Sequence, residues 1–400
     1  MNEAMKRQGK GKFLGLFLAA VIVFALAPAT ALAEEAVVSA DEVERALAQG
    51  EPGAEKTIRI AVQADEDAHQ LVVRMHAEQI RAIQGDNDRN LVVYDTPFGE
   101  FAFIPGWDLE VLSEEFGVPA EEIWFEVTIT TPDEELLGQI RQAAGAQGFA
   151  LLTQPMAAIK MGLWANGELL ADAGFVGYHT QWLPADPAID WEHSASMFYV
   201  PETGKFHFVP AISSVRDDRQ MLTVISCGCG YSVMVKNEKT FSDATDDSYR
   251  TALNRLAARG VIQGTGDGLF QPDRLLTWAE LAAMAVRFFG TAGDGDAELA
   301  AETFENVNVE DWYAGYVGTL YRIGLLADGT FKPNGNVTAE EIYNFLNKDP
   351  VIQYLLSFLD GPIQTGGPYV TRAEAVLIFD QLLHAYELSI ERAQQRSLQG

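Results

Sequence analysis

Thr371-Arg372-Ala373-Glu374 is the stretch on which the reading of this chain turns, because two variants of it stand upstream: Thr277-Trp278-Ala279-Glu280 and Thr338-Ala339-Glu340-Glu341. Each has the form of a capping box. The Thr side chain accepts from the backbone N–H three residues on, and the Glu reaches back to the Thr N–H. Each opens an apolar run at helical spacing: Leu281, Met284, Ala285 and Phe288; Ile342, Phe345 and Leu346; Ala375, Ile378, Phe379 and Leu382. One box marks only a helix start. Three of them, two inside longer matching patterns, indicate an internal repeat.

The longer pattern is clearest in the first two copies. The first runs Phe241-Ser242-Asp243, Tyr249, Leu256, Gly260, Gly268, Phe270, Pro272 and then its box. The second runs Phe304-Glu305-Asn306, Trp312, Leu320, Gly324, Gly329, Phe331, Pro333 and then its box. In both, the aromatic lies eight residues after the Phe and the Pro five residues before the Thr. Each unit reads as a helix, a Gly C-cap, a turn carrying Gly and Pro, and a second helix.

In this order the pieces resemble the S-layer homology (SLH) repeat over about residues 241–390. The resemblance implies three helical-hairpin repeats about a pseudo-threefold axis, holding a secreted protein on a bacterial cell wall. The ligand it implies is secondary wall polysaccharide, often pyruvate-modified. In the family, the Arg of the box lies in a groove between adjacent repeats and contacts the anionic group of the ligand. A helix N-terminus beside a guanidinium suits an anion. Only Arg372 keeps that cation, with Thr371 and Glu374 completing its box; Trp278 and Ala339 replace it in the others.

Trp278 offers a face for a sugar ring. Tyr249 and Trp312 fall beside the grooves in the family arrangement, where packing between repeats is the competing role. The third copy departs further, its box lying 33 residues after the second against 61 between the first two. Pro350 to Asp360 reads as its first helix and Gly361 to Tyr369 as a rewritten turn. One competent groove is expected at most, around Arg372. The plainer alternative makes the boxes helix starts only and Arg372 a solvated charge.

Lys6, Arg7, Lys10 and Lys12 precede the apolar run Phe13 to Ala27, and Ala31-Leu32-Ala33 supplies small residues for cleavage. This reads as a signal peptide over 1–33, leaving no transmembrane anchor once removed. Removal leaves 24 Lys and Arg against 56 Asp and Glu, a net charge of −32. A field of that sign repels nucleic acid and anionic membrane. Cys227 and Cys229 are the only cysteines and read as small buried strand residues, with a strained, redox-labile CxC bridge as the alternative.

Residues 34–56 are polar and read as a leader or short first helix. From Thr57 to about 237 the pattern becomes β-rich. Strands are expected at Thr57–Val62, Leu71–Val73, Leu91–Tyr94, Gly99–Ile104, Glu122–Thr130, Phe149–Leu152, Ala157–Ala165, Gln181–Leu183, Ser196–Val200, Lys205–Val209, Gln220–Ser226 and Tyr231–Val235. Helices are expected at His76–Ile83, Leu109–Phe116 and from Thr131 to Ala146. This region also looks like the β-rich segment that precedes SLH repeats in many secreted wall proteins, on Tyr199-Val200-Pro201-Glu202-Thr203-Gly204-Lys205-Phe206 and the Thr240-Phe241-Ser242-Asp243 junction.

The expected fold class is therefore α+β: a β-rich ectodomain (57–237) followed by an all-α module. Within the module the repeats fall at 241–290, 304–348 and, degenerate, 349–390, with a polar tail at 391–400. No HExxH, P-loop, G-x-S-x-G or dinucleotide fingerprint is present. No cofactor, metal or catalytic residue is expected. The turns Gly264 to Gly268 and Gly293 to Asp296 lack EF-hand spacing. Asp190-Trp191-Glu192-His193 is the most chemical-looking cluster, though a polar loop anchored by one Trp explains it as well. The leading expectation is a non-enzymatic surface protein in the cell wall or S-layer, with self-association left open. The alternative is an anchored enzyme acting on glycan or peptidoglycan through 57–237.

Overall fold

A computed structural model describes residues 33–399, apart from 50, 66–67, 107, 154–156, 172–178, 185–188, 217–218, 227–229, 291–295, 328, 349 and 359–364. The expected signal peptide up to residue 32, Cys227 with Cys229, and Gly293 to Gly295 lie outside these residues. Among the described residues the fold is mixed α and β, with strands in the N-terminal part and helices in the C-terminal part.

The strands are β1 (Ala33–Val37), β2 (Thr57–Ala61), β3 (Gln70–His76), β4 (Leu91–Thr96), β5 (Gly99–Phe103), β6 (Trp124–Thr130), β7 (Ala150–Leu151), β8 (Ala158–Ala165) and β9 (Glu168–Ala171). They continue as β10 (His179–Pro184), β11 (Ser194–Val200), β12 (Lys205–Phe208), β13 (Ala211–Arg216), β14 (Arg219–Ser226) and β15 (Tyr231–Lys236). One sheet runs β1-β3-β6-β8-β15-β11-β12, with β7 beside β15 and β9 beside β8. The other runs β13-β14-β10-β5-β4-β2. Pairing is antiparallel except for β1 with β3 and β2 with β4. β1, β9 and β13 add to the elements expected from sequence.

Of the two readings of 34–56, a leader or a short first helix, the helix is present, and a strand before it ties the segment into this fold. β1 pairs with β3 from Ala33↔Gln70 to Val37↔Arg74. Helix α1 (Ala40–Leu47) follows, opened by a Ser39–Glu42 capping box and burying Val43. Polar composition hid the strand, because an edge strand needs few apolar residues. Helices α2 (Ala77–Asp86), α3 (Leu109–Phe116) and α4 (Glu134–Ala146) complete the sheet region.

Strand β11 is buried along both faces, and its period-two alternation feeds two cores. Phe198, with Met234 of β15, packs against Val209, Ala211, Leu222 and Val224 of the second sheet's end. Ala195 and Met197, with Val233, Val235 and Phe208, turn the other way and join the core of the helical region. The sheet region and the helices therefore share apolar core rather than a linker.

The helical region contains α5 (Asp247–Ala258), α6 (Trp278–Phe288), α7 (Ala297–Thr303), α8 (Ala314–Arg322), α9 (Ala339–Leu346), α10 (Pro350–Leu356) and α11 (Arg372–Gln399). Helices α5 and α8 end alike. Gly260 and Gly324 take φ +71° and +78°, and Val261 and Leu325 N–H close back on Leu256 and Leu320 carbonyls at 3.0 and 2.9 Å. These are Schellman closures, which need that left-handed residue. The tail expected at 391–400 is a continuation of α11 as far as Gln399. Helix α7 was not foreseen; Asp296, just before it, accepts from Arg322 and Thr319 of α8.

Candidate functional site

The three boxes meet. Leu276, Val337 and Val370, each one residue before its Thr, are fully buried. Their backbones form a closed ring: Leu276 N–H donates to Val370 O (2.8 Å), Val370 N–H to Val337 O (2.9 Å), and Val337 N–H to Leu276 O (2.9 Å). Each Thr side chain accepts from the N–H of its own Glu, at 3.3 Å for Thr277 and 3.2 Å for Thr338 and Thr371. Each Glu accepts from the Thr N–H in return.

The first amides of these helices are already used. Trp278 N–H donates to Gly335 O (3.0 Å), Ala339 N–H to Pro368 O (3.2 Å), and Arg372 N–H to Arg274 O (2.9 Å). Ala279 and Ala373 donate to Pro333 and Pro272 carbonyls, both at 3.0 Å. The expected anion site at the helix N-terminus is thereby corrected, since its orphan donors are consumed by the neighbouring turn. The same bonds account for the Pro five residues ahead of the Thr in the first two copies: its carbonyl is what another copy's helix start grips.

Arg372 is 6% exposed. Its Nε donates to Phe270 O (2.8 Å), one terminal nitrogen to Glu280 Oε1 (2.6 Å) and the other to Gln263 O (3.1 Å). Its guanidinium carbon stands 4.7 Å from the Phe270 ring centre. Burial pushes its pKa down, against the pull of Glu280. It is neither the solvated charge of the plainer reading nor open to a ligand in this arrangement; it ties box three to the first copy's turn and box. Glu374 holds Thr371 and also accepts from Gly366 N–H (2.5 Å). Burial raises the Glu374 pKa, but the Thr371 and Gly366 N–H groups outweigh it and hold the carboxyl below its ordinary range.

Trp278 is partly buried, edge-on to Phe345 (6.0 Å between ring centres), where box one meets helix α9. Tyr249 is buried at 8% and stacks near Phe270 (6.5 Å). Its partner by packing in the second copy is Tyr313, 5.9 Å from Phe331. Trp312, the residue eight after Phe304, is 59% exposed. One additional residue before α8 moves the packing aromatic on by one, so counting from the Phe picks the wrong ring. Counted back from Gly260 and Gly324, Tyr249 and Tyr313 stand at like positions.

Two roles were missed in the sequence. Asp243 accepts from Phe270 and Gln271 N–H at 2.8 and 2.7 Å, and Asn306 accepts from Phe331 N–H at 3.2 Å. The third residue of the Phe-x-Asp/Asn opening therefore clamps the turn aromatic. Arg274 also donates to Glu280 Oε1, the oxygen that Arg372 uses. Its side chain is 40% exposed against 7% for Arg372.

Among the described residues, no group of three His, Cys, Asp or Glu is placed to hold a metal ion. No described helix is long and apolar enough to cross a membrane. The Asp190 to His193 cluster is a contact: Glu192 accepts from Asn254 (2.7 Å), and Trp191 O accepts from the buried Arg259 (3.3 Å).

Residues 240–282 match the S-layer homology domain family, spanning the first copy from Thr240 through its capping box. This chain carries an SLH domain. Similar proteins include an amylopullulanase of Thermoanaerobacterium thermosulfurigenes, 27% identical over 150 residues (37% of this chain, 8% of the relative). An endo-1,4-beta-xylanase A of Thermoanaerobacterium saccharolyticum is 31% identical over 110 residues (27% and 9%). The middle cell wall protein of Brevibacillus brevis is 30% identical over 105 residues (26% and 10%). The chain matches about a tenth or less of each relative's length, so what it shares with them is a module.

Proposed function

We propose that residues 241–390 are a three-repeat SLH module with pseudo-threefold packing that attaches an exported surface protein, non-covalently, to the bacterial cell wall. The ligand is secondary wall polysaccharide, and the β-rich region plays a structural or adhesive part at the cell surface. The observation that carries this is the closed backbone ring at Leu276, Val337 and Val370. It puts two boxes outside the matched segment in the same surroundings as the one inside it. The enzyme names among the relatives do not extend to this chain, because the shared stretch is under a tenth of those proteins.

The test uses the full chain, since the helices share core with β11, β12 and β15. The protein is sedimented with purified cell walls, either native or stripped of secondary polymer by cold hydrofluoric acid, and the supernatant is assayed for released sugar. Retention on native walls alone, without release, is expected. Equal retention on both preparations would remove the polysaccharide, and sugar release would restore the enzyme.

A further inference from the structure

We propose that the outer face of the first sheet binds an uncharged polysaccharide, laid along a row formed by His76, Trp124, Trp164 and Leu169. This gives the adhesive part of the β-rich region a ligand, and it rests on the reading above only for that region's place at the cell surface. Side chains alternate between the two faces of a strand. Met75, Phe125 and Leu163 enter the core between the sheets, so their neighbours His76, Trp124 and Trp164 take the other face. The register sets His76 opposite Trp124, Trp124 opposite Trp164, and Trp164 opposite Leu169, in one line across β3, β6, β8 and β9. Farther along this face, α4 covers Tyr199 and Tyr231, and the helical region covers Met197 and Val233. The row lies beyond both. Neither Trp is among the side chains packed into the described cores, and Leu169 is 43% exposed.

Gly162 makes the floor of the row. A Cβ there would stand 3.0 Å from Leu169 Cδ1 and 3.2 Å from Trp164 Nε1, so both side chains fold down over the glycine rather than standing off the sheet. The Trp164 indole N–H has no acceptor among the described residues. His76 packs against Trp124 with ring centres 4.7 Å apart, and its Nε2 is fixed on Glu121 O at 2.7 Å. Polar pairs flank the row on both sides: Asn166 donates to Glu122 (2.7 Å) on one, and Arg74 to Glu126 (2.9 Å) on the other. An apolar strip rimmed by hydrogen-bonding groups matches a pyranose, whose C–H faces meet rings and whose hydroxyls meet carboxylates and amides. Charge then selects the occupant. Glu78, Glu121 and Glu122 gather at the His76 and Trp124 end, while Arg74 is already shared between Glu35 and Glu126. Such a rim, in a chain of net charge −29, repels an anionic polymer and equally a second copy of the chain. A neutral glycan meets no such barrier.

The test is affinity electrophoresis of the full chain in native gels containing hydroxyethyl cellulose, glycol chitin or pullulan, with carboxymethyl cellulose as the charged counterpart. Retardation by at least one neutral polymer, and none by carboxymethyl cellulose, is expected. Trp164→Ala and Leu169→Glu are each expected to weaken it about tenfold, with the melting temperature of Leu169→Glu unchanged because that side chain is exposed. No retardation of wild type by any neutral polymer overturns the inference, as does retardation by carboxymethyl cellulose to the same extent. Binding kept in both variants, whatever their melting temperatures, makes the row packing only and also overturns it. Retention on native walls is expected to stay at the wild-type level in both variants, because the helical region carries it. A fall there would move wall attachment to this row and overturn the anchoring reading instead. So would a wild type that binds a neutral polymer but not native walls.

Discussion

The ring around Leu276, Val337 and Val370 and the joint between the helices and the sheets are both buried, yet they are made from different materials. The ring is backbone: three N–H groups, three carbonyls, and boxes whose chemistry repeats. The joint depends on particular side chains that occur once. Arg259 is buried against the Phe208 ring and donates to the Trp191 and Arg255 carbonyls. Asn237, just past β15, reaches the last carbonyls of α5, and beside this Arg255 ties α5 to α11 through Asp380 (3.0 Å) and Glu387 (2.9 Å). Burial pushes Arg259 down to about 10, which still leaves it charged at neutral pH. A repeated backbone device tolerates substitution at its side chains, as Trp278 and Ala339 in the Arg position illustrate. A joint of unique contacts does not.

The largest effect that separates the two is expected at Gly290. Its φ of +67° is left-handed, and a Cβ there would overlap the Phe208 carbonyl oxygen, a backbone atom that cannot rotate away. Gly290→Ala should cost about 3 kcal/mol, combining left-handed strain with overpacking at the joint. Gly260→Ala, at a similar φ but meeting only the Met197 methyl at 4.0 Å, should cost about 1 kcal/mol. Urea melts of both variants check this; equal losses would show that the joint is not tight.

Acid should push the two regions in opposite directions. Glu374, at the ring, has a depressed pKa, so its contribution is present above the unfolded value near 4.5 and lost as pH falls through the folded one. Asp380, beside the joint where α11 meets α5, has its pKa raised, by burial first and against the pull of Arg255. Its contribution is present below the unfolded value near 3.8 and lost as pH rises through the folded one. Between pH 7 and 3, Glu374→Gln should flatten the acid-side loss of stability and Asp380→Asn should steepen it. Thermal melts across that range decide; slopes unchanged in both would remove these carboxyls from the balance.

The contrast also explains what could be read from sequence. The three boxes, and the Gly C-caps and Pro of the first two copies, were legible because like helix starts must solve one capping problem with one spacing. Most sheet strands were legible from their alternation. The burial of Arg372 was not, because its partners, Glu280 and the Phe270 and Gln263 carbonyls, lie 92 to 109 residues away. Trp312 misled because an insertion of one residue leaves composition intact while shifting register. The joint left no periodic trace: Asp190 to His193 looked like chemistry and is a docking contact.

Amide hydrogen exchange at the ring is the most direct test of the account. Leu276, Val337 and Val370 N–H groups, far apart in sequence and each bonded to another box, are expected to exchange together, in the slowest class of the helical region. Exchange of any one of them at the rate of exposed turn amides, or at three unrelated rates, would contradict a common centre, and with it the wall-binding module built around it.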